Sequence, residues 1–276
     1  MLEHSVVHGS YRAHALGGTI PFFAAALGIT WALQLPALLA QQGVIPGPVE
    51  RYLLPAVLGG FGPLIAAVLA ARMEAGGAGV RALFRRMRIW RMNPIWYLVT
   101  LGLPAGIYLA GTAVYRLFGG DDAGRWLYLP EHAQHVAAMI VIPFGEEPGW
   151  RGFALPRLQE RYGPLRASLV LGIFWAAWHT VMFVLQGATL LIFVIAIANI
   201  LVGSIIFSWM FNRTRESLLL AVLAHVGVHL NNPFRALPGN ITPFVVYTVA
   251  IAIAGVALVL FDRRAFGPPE PRSTLS

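Results

Sequence analysis

Residues 145–152, with the sequence GEEPGWRG, place two carboxylates and a guanidinium in a stretch that is otherwise apolar. Glu147 and Arg151 are four residues apart, so on a continuous helix they share a face and can form an ion pair. On such a helix Glu146 points about 100° away from Glu147. A desolvated carboxylate without a full ion-pair partner can act as a general base near neutral pH. The spacing therefore predicts one restrained carboxylate and one that is free for chemistry. The alternative is that the ion pair only steadies a helix interrupted at Pro148 and Gly149.

Three histidines also lie inside apolar stretches: His179, His225 and His229. His225 and His229 are four residues apart, a spacing that suits two metal ligands or two hydrogen-bond donors on one helical face. Alternatively, one of them is an interior histidine whose hydrogen bonds are all made within the protein, and the other lies at the membrane–water interface. His179 is flanked by Trp175 and Trp178, so it is either a site residue or a packed histidine in an aromatic core.

The composition indicates that these groups lie in a membrane. Of the 276 residues, 57% are hydrophobic and 12% are charged, and the mean hydropathy is +0.67, far more apolar than a soluble domain of this length. The absence of cysteine excludes disulfides, thiolate catalysis and cysteine-based zinc sites. All 20 basic residues are arginines that cluster between apolar segments, a pattern typical of membrane topology rather than nucleic-acid binding. We therefore expect the lipid bilayer, and no nucleic acid, as a partner.

Apolar runs long enough to cross about 30 Å of hydrocarbon recur along the whole chain. They lie at about 17–42, 52–72, 94–116, 134–156, 165–186, 188–211, 216–231 and 241–261. The predicted fold class is all-α, a polytopic membrane helix bundle of about eight transmembrane helices that enclose an intramembrane polar cavity. We expect residues 1–276 to form a single integral membrane domain and residues 265–276 to be a disordered cytoplasmic tail.

The arginines predict the orientation of these helices. The connection at 72–93 carries six arginines and one glutamate, so we expect it on the cytoplasmic side. Alternation from this anchor places both termini in the cytoplasm and predicts a multi-pass protein of the cell inner membrane. The segment RALFRRMRIW, residues 81–90, is interpreted as an ordinary positive-inside loop. The alternative is an amphipathic helix that contacts anionic lipid.

The same topology brings the buried polar groups to one depth. With about 1.5 Å of rise per residue, Glu147, His179, His225 and His229 lie roughly 15–21 Å from the cytoplasmic ends of their helices. An ionisable side chain inside a bilayer costs roughly 2.5–3.5 kcal/mol on insertion scales, so it usually faces the bundle interior or a wet cavity. Because three separate helices deliver these groups to one layer, we predict that they form a single site.

These residues resemble three motifs of the CPBP intramembrane proteases, the family of the CAAX prenyl endopeptidases and of the bacteriocin-processing or immunity proteins called Abi. The motifs are EExxxR, an aromatic residue four positions before a histidine, and a histidine four positions before Asn or Asp. They occur in order on consecutive predicted membrane segments, and the resemblance covers about residues 134–232, the expected catalytic core. The matching residues are Glu146, Glu147, Arg151, Trp175, His179, His225 and His229.

The resemblance implies an intramembrane endopeptidase that hydrolyses a peptide bond of a membrane-associated or peptide substrate. Glu146 would be the general base that activates a water, with assistance from His179. Glu147 and Arg151 would hold the geometry of the site. Two alternatives belong to other functional classes: a catalytically silent immunity or scaffold protein, and a proton-coupled carrier in which the same groups form a relay.

Two positions depart from the family pattern. The resemblance implies that His225 and His229 stabilise the oxyanion, but His229 stands where the family usually has Asn or Asp. A neutral histidine donates a single N–H, and only in the right tautomer. Trp175 stands where the family usually has Phe, and we expect that change to alter the packing around His179 and little else.

A zinc-dependent mechanism is a further alternative, because Glu146, His179, His225 and His229 could hold Zn²⁺ with a bound water as the nucleophile. His229 slightly favours this version, since histidine is a better zinc ligand than asparagine. The HExxH motif, which places two histidines and a glutamate on one helix, does not occur in the sequence. We prefer the glutamate-dependent form.

Overall fold

A computed structural model of the chain describes residues 3–237 and 239–267, with side chains from residue 18 onward. Within these ranges all regular secondary structure is helical. The helices are α1 (Glu3–Gln41), α2 (Glu50–Leu58), α3 (Gly62–Arg85), α4 (Ile95–Leu117), α5 (Ala133–Glu147), α6 (Leu155–Tyr162), α7 (Pro164–Leu185), α8 (Leu190–Arg213), α9 (Leu218–Leu230), α10 (Thr242–Phe261) and α11 (Arg263–Phe266).

In the part of the chain that the structure describes, six helical segments are long and apolar enough to cross a membrane. These are Gly18–Gln41, Glu50–Arg88, Ile95–Leu117, Pro164–Leu185, Leu190–Arg213 and Thr242–Phe261. The predicted all-α polytopic bundle is therefore confirmed. The two other predicted segments are also helical but differ from a regular span. The segment at 134–156 is α5 followed by a π-helical turn that leads into α6, and the segment at 216–231 is the 13-residue α9.

Helix α3 extends well beyond its predicted end at residue 72. Its backbone leaves the helical region at Ala75 and Gly76, where φ of Gly76 is 58°, and then resumes as helix to Arg85. Glycine adopts a positive φ without a steric penalty, so the chain can change direction here. A 3₁₀ turn follows at Arg86–Arg88. The interpretation of 81–90 as an ordinary loop is therefore wrong for most of its length.

The short helix α9 and the C-terminal end of α5 lie inside the bundle. Helix α5 packs against α3 and α9, while α9 also packs against α4. Around them, α1 contacts α3 and α7, and α8 contacts α7 and α10. The largest fully buried side chains include Trp150, Arg151 and Tyr108. The polar residues at the end of α5 and along α9 are thus surrounded by protein rather than lipid.

Side-chain contacts join the helix ends into two groups. The arginine-rich end comprises residues 72–93, 157–166, 212–217 and 262–264, and the opposite end comprises 41–49, 117–132, 185–189 and 230–242. Ion pairs at the arginine-rich end join Arg86 to Glu216, Arg157 to Glu74 and Arg213 to Asp262. Hydrogen bonds at the opposite end join Thr242 to Asp122 and Gln41 to the carbonyl of Leu185. The loops predicted to be cytoplasmic therefore lie together.

The predicted disordered tail begins within the described residues. Residues 263–266 form the single turn of α11, and the side chain of Asn212 donates a hydrogen bond of 2.9 Å to the carbonyl of Ala265. Residues 268–276 lie outside the described residues, so their disorder stays a prediction. The single-domain organisation and the boundaries 134–232 of the catalytic core are likewise predictions.

Candidate active site

Helix α5 ends at Glu147 and continues into a π-helical turn, Pro148–Ala154, whose residues are all buried. Turns of this kind are rare and occur frequently at functional sites. Gly149 lets the turn approach α3 closely, since a Cβ at this position would lie 2.5 Å from the backbone oxygen of Pro63. Gly145 approaches the carbonyl of Gly60 in the same way, at 2.8 Å. Close packing therefore fixes the segment that carries both glutamates and Arg151.

Glu147 is held by two partners. Its Oε1 accepts a hydrogen bond of 2.9 Å from Nη1 of Arg151 and lies 2.8 Å from Nδ1 of His225, and all three side chains are buried. The predicted pairing between Glu147 and Arg151 is therefore present. The guanidinium of Arg151 also lies over the rings of Trp175 and Phe207, at 4.2 and 4.4 Å from their centroids. Nδ1 of His225 faces Glu147, and Nε2 of the same ring therefore faces Glu146.

Glu146 has a different environment from its neighbour. Its Oε2 accepts a hydrogen bond of 2.9 Å from Nε1 of Trp175, and its Oε1 lies 4.0 Å from Nε2 of His225. Glu146 lines a cavity of about 350 Å³. Most of the cavity wall is apolar; α7 and α8 supply the most lining residues, and α4, α9 and α10 supply others. One oxygen of Glu146 is thus restrained while the carboxylate borders open space.

The expectation that Trp175 affects only packing is wrong. Its indole N–H binds Glu146, and its backbone carbonyl lies 2.8 Å from Nδ1 of His179. A phenylalanine in the same place has no side-chain donor. This extra donor was visible in the sequence as a tryptophan in place of Phe, but its target on α5 was not. Trp175 thus contacts two of the predicted site residues.

His179 and His229 line the same cavity. The ring of His179 stacks on Phe183 at 5.4 Å and meets Trp178 edge-on at 4.6 Å, so it is both a lining residue and part of an aromatic cluster. The ring of His229 stacks on His225 at 4.9 Å with an interplanar angle of 9°. Among the described residues, Nε2 of His229 has no hydrogen-bond partner. All six predicted site residues therefore lie around one cavity or in direct contact with its lining.

The zinc alternative is not supported by this arrangement. Among the described residues, no three side chains of His, Cys, Asp or Glu lie close enough together to hold a metal ion. Nδ1 of His225 faces Glu147 and Nδ1 of His179 faces the carbonyl of Trp175, so only Nε2 of each ring could be a ligand. In their described positions these side chains do not fit a zinc ion.

A second cavity, of about 600 Å³, lies at the opposite end of the bundle. Ile142 and His229 line both cavities. The outer cavity also contacts the basic side chains of Arg125, Arg235 and the exposed His132. The candidate site is therefore adjacent to the opposite end, away from the arginine-rich end.

Comparison with known proteins agrees with the three motifs. The sequence model of the type II CAAX prenyl endopeptidase Rce1-like family matches residues 129–231, which include every residue of the candidate site. The chain is also 25% identical over 259 residues to CAAX prenyl protease 2 of Methanococcus maripaludis, a match that covers 89% of this chain and 94% of the relative. Both similarities support the resemblance to the CPBP intramembrane proteases.

These similarities support an intramembrane peptidase over the carrier and scaffold alternatives. The match extends from the loop before α5 to the residue after α9. It thus spans the short helices α5 and α9 and the helices α7 and α8 between them. These are the elements that supply the candidate site.

Proposed function

We propose that Glu146 activates a water for attack on a peptide bond. The observation that carries this proposal is the position of its carboxylate, which borders the cavity with Oε1 4.0 Å from Nε2 of His225. One water can bridge two atoms at this separation with hydrogen bonds of about 2.8 Å. As that water attacks the carbonyl carbon, Glu146 takes its proton and later gives it to the leaving amine.

Trp175 and His179 support this step from α7. The indole N–H fixes Oε2 of Glu146, which leaves Oε1 for the water. His179 donates its Nδ1–H to the carbonyl of Trp175, so in the neutral ring Nε2 is an acceptor that can orient the water. The two residues restrain the base and the nucleophile together.

His225 and His229 stabilise the oxyanion in this proposal. His225 donates its Nδ1–H to Glu147, and in the active form it also carries a proton on Nε2, taken up from solvent before the substrate binds, so that Nε2 donates to the water and then to the oxyanion. The Glu147 carboxylate favours that proton, as carboxylates that bind catalytic imidazoles do. His229 serves as a donor in the tautomer with hydrogen on Nε2, an atom without a partner among the described residues. Arg151 keeps Glu147 in place.

The substrate proposed is a membrane-associated peptide whose apolar part enters the cavity between α4, α7, α8 and α10. A prenylated CAAX tail is one such substrate, since the archaeal relative is named a CAAX prenyl protease. A leader peptide and a loop of a membrane protein are the others. We further propose an inner-membrane location with both termini cytoplasmic, which the clustering of arginines at one end of the bundle supports.

The proposal is tested with purified protein in liposomes, using a farnesylated CAAX peptide and an unmodified peptide with a membrane anchor. Glu146→Gln keeps the size of the side chain and removes the base, so we expect cleavage to fall by at least about 10³-fold. Glu160→Gln is the matched control, because Glu160 is exposed on α6 and should retain full activity. Cleavage that survives in Glu146→Gln, or that a metal chelator abolishes, contradicts the assignment.

A further inference from the structure

A third cavity, of about 650 Å³, lies at the arginine-rich end, on the far side of the π-helical turn from the candidate active site. The kinked helix α3 forms one wall, and the π-helical turn and the start of α6 form another. Its charged lining residues are Glu74, Arg85, Arg86, Arg88, Arg157 and Glu216. We call it the basic pocket. Neither the family match nor the proposed peptidase chemistry assigns it a role.

The charges of the basic pocket do not cancel. Arg86 pairs with Glu216 at 2.8 Å and Arg157 pairs with Glu74 at 2.5 Å. Arg85 and Arg88 are exposed and have no ion-pair partner among the described residues. Four guanidinium groups against two carboxylates leave two positive charges in a concave site. A phosphate group is the ligand that such a set of arginines binds best.

We propose that the basic pocket binds the phosphate headgroup of an anionic phospholipid. The pocket lies at the end of the Glu50–Arg88 membrane span, where headgroups are located. Large apolar side chains beside it are exposed, with Met73 at 87%, Trp90 at 55% and Phe84 at 37%. These surfaces fit acyl chains rather than water. Basic pockets between membrane helices on the cytoplasmic side are known binding sites for acidic lipid headgroups.

The pocket is physically linked to the segment that carries the candidate site. Nη1 of Arg86 donates a hydrogen bond of 2.8 Å to the carbonyl of Gly152, the residue after Arg151 in the π-helical turn. A phosphate held by Arg85 and Arg88 would add negative charge next to Arg86 and restrain its side chain. A bound lipid therefore stabilises the π-helical turn from the side that faces the cytoplasm.

The test measures lipid binding directly by native mass spectrometry of the detergent-solubilised full chain. Phosphatidylglycerol is compared with phosphatidylcholine, and inorganic phosphate is added in a separate arm. Glu146→Gln is used as the background, so that binding is measured independently of any peptidase activity. The double variant Arg85→Gln/Arg88→Gln removes the two unpaired charges. Arg263→Gln/Arg264→Gln is the control, with two exposed arginines at the same end of the bundle but outside the pocket.

We expect phosphatidylglycerol to be retained and phosphatidylcholine to be lost. Each arginine near an anionic headgroup contributes a factor of about five, so the pocket variant should retain phosphatidylglycerol roughly 25-fold less well than the control. An equal loss of phosphatidylglycerol in the two double variants would overturn the proposal, because binding would then depend on the overall positive charge and not on the pocket. Displacement of the lipid by millimolar inorganic phosphate would overturn the lipid assignment in favour of a soluble phosphate. A thermal melt of each variant without lipid verifies folding.

Discussion

At the scale of single residues, the site depends on the ring N–H groups that Trp175 and His229 can donate. Trp175 differs from the Phe usual in the family by one N–H, and that N–H fixes Oε2 of Glu146. His229 stands where the family usually has Asn or Asp, and its single N–H is placed by the tautomer. Both departures concern hydrogen-bond donors next to the proposed reaction centre. They can therefore be tested by restoring the family's residue.

Trp175→Phe should lower the rate of peptide cleavage by about tenfold or more, because a hydrogen bond to a charged group is worth roughly 1.5–3 kcal/mol. Trp178→Phe is the matched control. Trp178 lies on the same helix and also loses an indole hydrogen bond, in this case to Oγ1 of Thr30. We expect both variants to lose similar thermal stability and only Trp175→Phe to lose rate at saturating substrate. Equal kinetics in the two variants would refute the role of Trp175.

His229→Asn should retain activity, because the asparagine amide donates without needing a particular tautomer. His229→Ala should lose roughly 10²–10³-fold in kcat if the residue supplies an oxyanion donor. His135→Ala serves as control, since His135 is exposed at the opposite end. Steady-state kinetics on the three variants separate the two roles. Full activity in His229→Ala would show that the ring only packs against His225.

At the scale of elements, the π-helical turn between α5 and α6 determines where the charged groups point. The i, i+4 spacing predicts the pairing of Glu147 with Arg151, because that contact is local. The π-helical turn itself was not predicted, since it depends on how closely Gly149 packs against α3. The bend at Gly76 also escaped prediction, because the apolar and basic pattern around it is compatible with a loop. Local spacing predicts pairs within a helix, whereas contacts between helices require the packed structure.

Gly149→Ala should destabilise the protein by about 1–3 kcal/mol, since the new methyl group would overlap the backbone of Pro63. It should also lower activity, because relief of the overlap moves the segment that carries Glu146. Gly28→Ala is the control, as a Cβ there meets no atom within 4 Å. Thermal unfolding in detergent is the measurement. An unchanged melting temperature for Gly149→Ala would mean that close packing does not fix the turn.

At the scale of the whole molecule, the arginines and the candidate site lie towards different ends of the bundle. Counting residues from the arginines predicts the common depth of the polar groups, and the structure places those groups around one cavity. The sequence does not reveal that a second cavity at the opposite end shares Ile142 and His229 with it. The position of this second cavity beside the candidate site bears on the side of the membrane from which a substrate enters. With the proposed orientation, this second cavity lies on the side opposite the cytoplasm.

Orientation can be measured cleanly because the chain contains no cysteine. Ala78→Cys lies at the arginine-rich end and Gln42→Cys at the opposite end, and both positions are exposed. In spheroplasts of an expressing bacterium, a membrane-impermeant maleimide should label Gln42→Cys and should label Ala78→Cys only after lysis. The cysteine-free parent controls for background. The reverse pattern would place the arginine-rich end outside and contradict the proposed topology.

In the proposed mechanism, Glu146 activates the water that cleaves a peptide bond. The most direct test compares peptide termini in membranes from cells that express the wild type or Glu146→Gln at matched protein levels. We predict new termini in the wild type that disappear in Glu146→Gln and remain in Glu160→Gln. Their sequences would also identify the substrate. The same wild-type termini in the Glu146→Gln membranes would contradict the claim.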